Sequence, residues 1–225
     1  MSYEWIFSDK FVVGAAAITV AAYGLYKIWK WWRFEDEYFQ RITHSGSPSR
    51  KLLVLIIGLD GSGKTCFLQS LGESRHQIPY PQPTSGVNSI RRTIGDVEYS
   101  LYEIGAGGGL IKARLYWSEF LKEFKAKTVV YVVDAANHQR IDEAKTALSQ
   151  FSEKNRTDNL QLLIVANKQD VPGALTPSQV LQRVKEVKYK YKSVHAVGTV
   201  LRPGKKREGV YESYTYLQSC VPKQI

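Results

Sequence analysis

The chain has few of the residues that build disulfide scaffolds and metal clusters. Its 225 residues include two cysteines, Cys66 and Cys220, and four histidines, and none of these form a cluster with metal-ligand spacing. Two cysteines exclude a disulfide framework and are typical of a protein in the reducing cytosol. A hydrophobic content of 44% is ample for a core, and the length allows one good-sized domain plus an appendage.

Acidic residues are scarce relative to basic ones. There are 21 Asp and Glu against 31 Lys and Arg, which gives a net charge of +10. Such an excess can indicate binding to nucleic acid or to an anionic membrane surface. Much of it lies in residues 183–192 and 202–207, and no RNA-binding aromatic motif accompanies these clusters. We therefore expect a solvated basic surface with some attraction to membranes, and no nucleic-acid partner.

One long uncharged run occurs, near the beginning of the chain. Residues 11–26 read FVVGAAAITVAAYGLY, about sixteen positions, slightly under the roughly 17–25 that a spanning helix needs. Residues 28 and 29 extend the apolar length, a Trp-rich flank follows, and basic residues at 27, 30 and 33 place the C-terminal side in the cytosol. A cleaved signal peptide and a buried core helix are the alternatives. We expect a membrane anchor through residues 11–29, within an anchor segment 1–33, followed by a polar linker over 34–50.

The segment from Leu52 to Thr65, LLVLIIGLDGSGKT, carries the clearest chemical signal. An apolar run long enough for one buried strand leads into Gly58, four residues, and then Gly63, Lys64 and Thr65, which is the phosphate-loop pattern. Glycines let the backbone curl so that successive N–H groups form an anion-binding concavity. A lysine there reaches the outer phosphates and a threonine hydroxyl can ligate Mg²⁺. A chance Gly/Ser turn is the alternative.

Strand-like and helix-like segments alternate after this loop, which predicts a mostly parallel sheet covered on both faces. A Gly95-Asp96 turn between two strand-like runs predicts a hairpin. The expected strands cover residues 52–58, 87–93, 97–104, 128–133, 160–166 and 193–198. The expected helices cover residues 66–71, 113–125, 140–151, 177–190 and a final segment from 211.

A second polar motif, Asn167-Lys168-Gln169-Asp170, follows a buried strand. The carboxyl ends of parallel strands meet at one edge of a sheet, so this loop and the phosphate loop are expected to face one crevice. An aspartate there can accept hydrogen bonds from N1–H and the exocyclic amine of guanine, whereas adenine offers no such pair and would leave the carboxylate unpaired. Together the two motifs predict a guanine nucleotide site.

These motifs together resemble the ADP-ribosylation-factor-like (Arf-like) branch of the small GTPases. GLDGSGKT is similar to its GLDxxGKT, residues 83–88 (PTSGVN) to its PTxGFN first switch, and Arg114…Trp117 to the RxxW of its second switch. Val132-Val133-Asp134 and the NKQD motif complete the match, which covers residues 51–217. The resemblance implies an α/β P-loop small GTPase fold with a six-stranded sheet, occupying residues 51–220, beside an N-terminal transmembrane helix.

The resemblance also implies a ligand set, GTP or GDP with Mg²⁺. Thr65 and Thr84 would be the protein ligands of Mg²⁺, with Thr84 engaged only in the GTP state. Ala106 stands where the family has a glycine that contacts the γ-phosphate. The remaining expected contacts are Asp60, Gly61, Ser62, Gly63, Lys64, Thr65 and Cys66 around the phosphates, Asn167, Lys168 and Asp170 on guanine, and the backbone at Gly198 and Thr199 near its O6.

The second switch departs from the family pattern. Glu103 replaces Asp, Ala106 replaces Gly, and Gly107 stands where the family has Gln, in a stretch lengthened by about three residues. That Gln orients the attacking water, and together with an arginine finger it is worth about 10⁵ in rate. We assign no catalytic residue and expect slow or absent intrinsic hydrolysis. A longer basic loop after Thr199 is a further departure.

The resulting hypothesis is a membrane-anchored Arf-like switch that acts through effectors, with an exchange factor or GTPase-activating protein as further partners. A pseudo-GTPase adaptor and the GTPase subunit of a protein-targeting receptor are the alternatives, and a kinase or ATPase would leave NKQD idle. A short anchor suits a thin membrane such as the endoplasmic reticulum. Its basic C-terminal flank favours the mitochondrial outer membrane over that alternative.

Overall fold

A computed structural model of the chain describes residues 19–26, 48–71, 84, 86–105, 111–202 and 207–222. The chain divides into two units, Met1–Arg41 and Ile42–Ile225. In the first unit, residues 19–26 are helical. Within the described residues, no helix combines the length and the apolar character needed to cross a membrane. Most of the expected anchor (1–33) and linker (34–50), and the loop over 72–83, lie outside the described residues.

Six strands of the second unit form one sheet in the order β2-β3-β1-β4-β5-β6. β2 and β3 pair antiparallel across the Gly95-Asp96 turn, and every other neighbouring pair is parallel. The mostly parallel six-stranded sheet expected from the sequence is therefore confirmed, as is the hairpin. The strands are β1 Arg50–Gly58, β2 Val87–Ile94, β3 Val97–Ile104, β4 Thr128–Asp134, β5 Gln161–Asn167 and β6 Ser193–Thr199.

Six α-helices connect or follow these strands in the described part of the second unit. They are α1 Lys64–Ser70, α2 Trp117–Glu123, α3 Ile141–Lys154, α4 Pro177–Arg183, α5 Lys185–Lys188 and α6 Val210–Ser219. Two 3₁₀ turns, Ile111–Tyr116 and His138–Arg140, precede α2 and α3.

Two helix predictions were wrong in detail. The helix expected over 113–125 starts as a 3₁₀ turn, and α2 begins only at Trp117, whose buried ring packs edge-on against Tyr131 and Phe151 with centroids 6.2 Å away in both cases. The helix expected over 177–190 is interrupted at Val184, which leaves helical geometry with φ −102° and ψ 20°. Val184 is 4% exposed, and its N–H still donates to the carbonyl oxygen of Val180 at 3.3 Å.

The central strands β1, β4 and β5 are buried on both faces because helices cover each side. Residues of one face, such as Tyr131 and Ile164, join a cluster with buried side chains of α2, α3 and α4. On the other face lie Phe67 of α1 and Tyr214 of α6, both at most 2% exposed. This packing fixes the carboxyl ends of the strands, where the loops after β1 and β5 emerge at the same edge of the sheet on either side of β4.

Candidate functional site

The phosphate loop follows β1 and turns through two left-handed glycines. Gly61 has φ +68° and Gly63 has φ +98°, a region that disfavours side chains. A Cβ at Gly63 would lie 2.2 Å from Nδ2 of Asn167, whereas a Cβ at Gly61 would meet open space. Gly63 therefore lets the phosphate loop approach the loop after β5, and α1 begins at the next residue.

Lys64 carries a buried positive charge toward this loop. Its side chain is 5% exposed, and Nζ donates a hydrogen bond to the carbonyl oxygen of Leu59 at 2.8 Å. Burial lowers the pKa of the Lys64 ammonium, because removing a charge from water disfavours its charged form. A bound anion would offset that cost. The buried lysine and the glycine-lined turn therefore fit a nucleotide phosphate.

Hydroxyl and carboxylate oxygens converge next to the phosphate loop. Thr65 Oγ1 lies 3.1 Å from Thr84 Oγ1 and donates to Glu103 Oε1 at 2.5 Å. Asn88 Nδ2 donates to Glu103 Oε2 at 3.4 Å. Oxygen ligands of this kind are the ones that Mg²⁺ prefers, with the remaining positions filled by phosphates and water. The expected pair of threonine hydroxyls is thus brought together, and the donor set fits Mg²⁺.

The loop after β5 is tied directly to the phosphate loop through Asn167. Its Nδ2 donates to the carbonyl oxygen of Ser62 at 2.9 Å, and its Oδ1 accepts from Thr199 Oγ1 at 3.1 Å. Asn167 and Thr199 are 3% and 1% exposed. One side chain therefore links the phosphate loop, the loop after β5 and the end of β6.

The other residues of the NKQD motif lie beside Asn167 in the loop after β5. Lys168 adopts a left-handed backbone, φ +67°, which is uncommon outside glycine, and its Nζ pairs with Asp134 Oδ2 at 2.6 Å. Asp170 has 28% of its side chain exposed, and Arg202 Nη1 lies 3.7 Å from its Oδ2. The Asp170 carboxylate is thus accessible at the loop, with a cation from the basic segment beside it.

Gly198 and Thr199 end β6 against this loop. The backbone N–H of Gln169 donates to the carbonyl oxygen of Thr199 at 3.1 Å. A Cβ at Gly198 would lie 3.1 Å from Cγ of Gln169, so a glycine keeps the strand end and the loop in close contact. Both residues therefore lie where the sequence predicted them, beside the NKQD motif.

The sequence did not predict an ion-pair network that contacts the phosphate loop at Asp60. Arg140 donates two hydrogen bonds to the carboxylate of Asp60, at 2.7 and 3.1 Å, and a third to Glu143 Oε2 at 2.8 Å. Arg114 also pairs with Glu143. The hydrogen bonds from Arg140 lower the pKa of both carboxyl groups. Sequence spacing offered only the i,i+3 pair of Arg140 and Glu143 as a signal, since Arg140 and Asp60 are distant along the chain.

Most of the predicted site residues meet at one edge of the sheet. Asp60 through Gly63 form the loop, and Lys64 and Thr65 begin α1. Thr84 and the NKQD motif flank the loop, and Cys66 is a buried α1 residue whose thiol pKa is raised by burial. Ala106 and Gly107 lie outside the described residues. Among those described, no three His, Cys, Asp or Glu side chains are grouped as a metal-binding cluster.

A model of the ADP-ribosylation factor family matches residues 38–221 of the chain. The chain belongs to this family. Guanine nucleotide and Mg²⁺ are the ligands that membership in the Arf family implies, and the geometry described above fits both.

Three similar proteins illustrate the range of Arf-family relatives. The chain is 34% identical over 156 residues to ADP-ribosylation factor-like protein 10 of Mus musculus, a match that covers 69% of this chain and 60% of the relative. It is 35% identical over 135 residues to ADP-ribosylation factor-like protein 4D of Homo sapiens, covering 59% and 65%. ADP-ribosylation factor-like protein 1 of Saccharomyces cerevisiae is 29% identical over 176 residues, covering 78% and 91%. The chain thus spans less than two thirds of the length of the mouse and human relatives.

A solved structure also shares the fold. The Arl6 BBS3 small GTPase of Trypanosoma brucei, with the bound nucleotide analogue GppNp, superposes with a TM-score of 0.61 at 23% identity. The similarity covers 76% of this chain and 96% of the trypanosomal one. Because the identity is low, this likeness supports the small GTPase fold alone.

Proposed function

We propose that this chain is an Arf-like switch protein that binds GTP or GDP with Mg²⁺ and acts through effectors of the GTP state. The bridge from Asn167 to Ser62 carries the proposal, because it joins the phosphate loop and the base-reading loop at 2.9 Å. A phosphate loop alone would serve many nucleotides. Its direct link to an NKQD loop favours a guanine nucleotide lying across both.

Each flanking group has a role in this proposal. Lys64 reaches the outer phosphates, and the backbone of Asp60 to Cys66 surrounds them. Thr65 and Thr84 ligate Mg²⁺, and because Thr84 does so only in the GTP state, the first switch is ordered by GTP and released with GDP. Asn167, Lys168 and Asp170 hold guanine, with the backbone at Gly198 and Thr199 near its O6.

Slow hydrolysis is the second part of the proposal. Residues 105–110 read GAGGGL, so Gly107 supplies no side-chain amide to orient an attacking water. Without that amide and without an arginine finger, a GTPase loses most of a rate advantage of about 10⁵. The GTP state would therefore be long-lived unless a partner supplies the missing groups.

Membrane attachment is the third part. Residues 11–29 would anchor the chain, with the anchor segment 1–33, a polar linker over 34–50 and the GTP-binding domain over 51–220 in the cytosol. The uncharged run and its Trp-rich, basic flank support this arrangement. We propose the mitochondrial outer membrane as its location ahead of the endoplasmic reticulum, because the run is short and followed by basic residues.

A base-specificity swap tests the binding proposal. Asp170→Asn replaces the acceptor of the guanine N1–H by an amide, so GTP affinity should fall by at least about a hundredfold, from the loss of a charged hydrogen-bond pair. Xanthosine triphosphate should bind the variant more tightly than GTP. The matched control, Asp158→Asn, changes an aspartate whose side chain is 60% exposed before β5 and should leave both affinities unchanged.

The nucleotide content of the purified wild-type protein distinguishes a switch protein from the adaptor alternative. A switch protein retains guanine nucleotide, which is released on denaturation and identified by chromatography. Protein that is folded but carries and accepts no guanine nucleotide would point to a nucleotide-independent adaptor. Unchanged GTP affinity in Asp170→Asn would instead overturn only the assignment of the base contact.

A further inference from the structure

Glu103 is a buried carboxylate at the end of β3 beside the two threonine hydroxyls. It is 1% exposed, and its described hydrogen bonds come from Thr65 Oγ1 at 2.5 Å and Asn88 Nδ2 at 3.4 Å. The amide of Asn88 is neutral and the contact is long. Burying a carboxylate is costly unless a cation or strong donors compensate it.

Among the described residues, no cation forms an ion pair with this carboxylate. Lys64 interacts with Glu103 electrostatically, but its Nζ is hydrogen bonded to the carbonyl oxygen of Leu59. The side of Glu103 that faces Thr65 therefore holds a negative charge that no described cation contacts directly. A divalent cation is the charge that this arrangement lacks.

The spacing of the oxygens suits one small ion. In an octahedral Mg²⁺ site with bonds of about 2.0–2.1 Å, neighbouring ligand oxygens lie about 2.9 Å apart. Thr84 and Glu103 oxygens lie 3.1 and 2.5 Å from Thr65 Oγ1. Small side-chain adjustments would bring these distances to the octahedral value, so the carboxylate is already within reach of a shared ion.

The length of the Glu103 side chain determines whether its carboxylate can reach the ion. An aspartate at position 103, which the family pattern has, would withdraw the carboxylate by about 1.5 Å, the length of one carbon–carbon bond. A carboxylate withdrawn by that much no longer bonds the ion, which leaves its coordination position open to a water molecule. The backbone position is fixed, because Glu103 pairs with Ile56 of β1 and Asn88 of β2 in the sheet.

We propose that Glu103 is a direct ligand of the Mg²⁺ ion and takes a position that water would otherwise hold. The proposal rests on the proposed nucleotide site, since the ion also needs phosphate oxygens. It gives the protein a carboxylate ligand that stays in place when Thr84 is released. The ion should therefore be held tightly in the GDP state as well as in the GTP state.

Counting the waters on the metal tests this directly. The full chain is loaded with GDP and Mn²⁺ in deuterated water, and electron spin echo modulation measures the number of coordinated waters. The wild type should show one water fewer than Glu103→Asp, in which a water can enter. Glu103→Gln, which keeps the length and removes the charge, should bind Mn²⁺ at least about tenfold more weakly, the loss seen even for outer partners of metal ligands.

The control variant is Glu98→Asp, the same change on the same strand at a residue paired with Lys51 at the surface. It should leave the water count and the Mn²⁺ affinity unchanged. Equal water counts in wild type and Glu103→Asp, with GDP bound to both, would overturn direct ligation while leaving the nucleotide site intact. Failure of the wild type to bind any guanine nucleotide would overturn the proposed function and this ligand with it.

Discussion

Gly63 is a residue for which both backbone and neighbours exclude a side chain. Its φ of +98° strains any L-residue, and a Cβ would collide with Nδ2 of Asn167 at 2.2 Å. Gly61 shares the left-handed backbone, φ +68°, but a Cβ there meets nothing within 4 Å. Comparing substitutions at these two glycines therefore separates the effect of backbone strain from the effect of steric collision.

Gly63→Ala should destabilise the protein more than Gly61→Ala. Both variants carry strain of roughly 1–2 kcal/mol, and only Gly63→Ala must also displace the Asn167 amide. The melting temperature should fall further for Gly63→Ala by at least about 2–4 °C, which is about 1 kcal/mol for a domain of this size. Equal melting temperatures would show that the two loops are not in close contact. The test is thermal unfolding followed by circular dichroism.

Asn167 is the second residue on which the site depends. Asn167→Ala would leave the Ser62 carbonyl and the Thr199 hydroxyl without the partner they have in the described structure. We expect a loss of about 1–3 kcal/mol of unfolding free energy in urea titrations, and faster release of a fluorescent GDP analogue. The matched control is Asn159→Ala, an exposed asparagine before β5. Similar effects of both substitutions would contradict a bridging role.

At the scale of elements, Arg140 at the start of α3 holds the phosphate loop through its ion pair with Asp60. The guanidinium of Arg140 forms hydrogen bonds with both carboxylate oxygens of Asp60, and Glu143 holds Arg140 and Arg114 together. Arg114 belongs to the 3₁₀ turn before α2. The network therefore links the phosphate loop to the 3₁₀ turn that carries Arg114, a residue that the family resemblance assigns to the second switch.

Arg140→Lys should loosen this contact without removing the charge. A lysine cannot reproduce the planar fork that pairs with a carboxylate at two points. Because Arg140 and Asp60 are 33% and 59% exposed, solvent screening limits the effect to about 1 kcal/mol or less, which corresponds to at most about a fivefold faster release of GDP. Arg156→Lys, at a side chain 92% exposed, is the control. Stopped-flow release rates that are equal for wild type and Arg140→Lys would rule out a holding role.

Local signals explain which elements were predictable. The hairpin follows from a Gly95-Asp96 turn between two strand-like runs, and the loop residues follow from motifs whose members are close in sequence. The break at Val184 was missed because no glycine or proline marks it over residues 178–190. The contacts of Arg140 with Asp60 and of Glu103 with Thr65 were missed because they join residues 80 and 38 positions apart.

For the whole molecule, the proposed long-lived GTP state predicts a slow single turnover. The full chain loaded with labelled GTP should hydrolyse it no faster than about 5 × 10⁻⁴ s⁻¹, the intrinsic rate of a small GTPase that has its Gln but no arginine finger. Gly107 offers no group to orient the water. GTP without protein is the baseline. A rate clearly above about 5 × 10⁻⁴ s⁻¹ would contradict the proposal, and one near 10⁻² s⁻¹ would match proteins that have an arginine in place.

The proposed membrane attachment can arise from the apolar run of residues 11–29 or from the basic surface residues. A wash with concentrated salt distinguishes these two causes. Attraction of basic residues to anionic lipid extends only about 10 Å at 0.1 M salt, and a shorter distance at higher salt. A spanning helix is instead held by burial of its apolar surface, which salt does not weaken. We expect the full chain to remain in the membrane fraction after a wash with 1 M salt, equally with GDP and with a non-hydrolysable GTP analogue. A soluble pool in the GDP state would contradict a permanent anchor.

Two variants assign the attachment to its segment. Removal of residues 1–33 should make the chain extractable by salt or soluble, since only the basic surface remains to bind lipid. Lys185→Glu with Lys188→Glu changes two exposed lysines of α5 and should leave the salt-resistant fraction unchanged. If this charge reversal instead releases the intact chain, the basic surface is the anchor. If the first segment is the anchor, a fusion of residues 1–50 to a fluorescent protein should mark the mitochondrial outer membrane, because that segment alone would determine the destination.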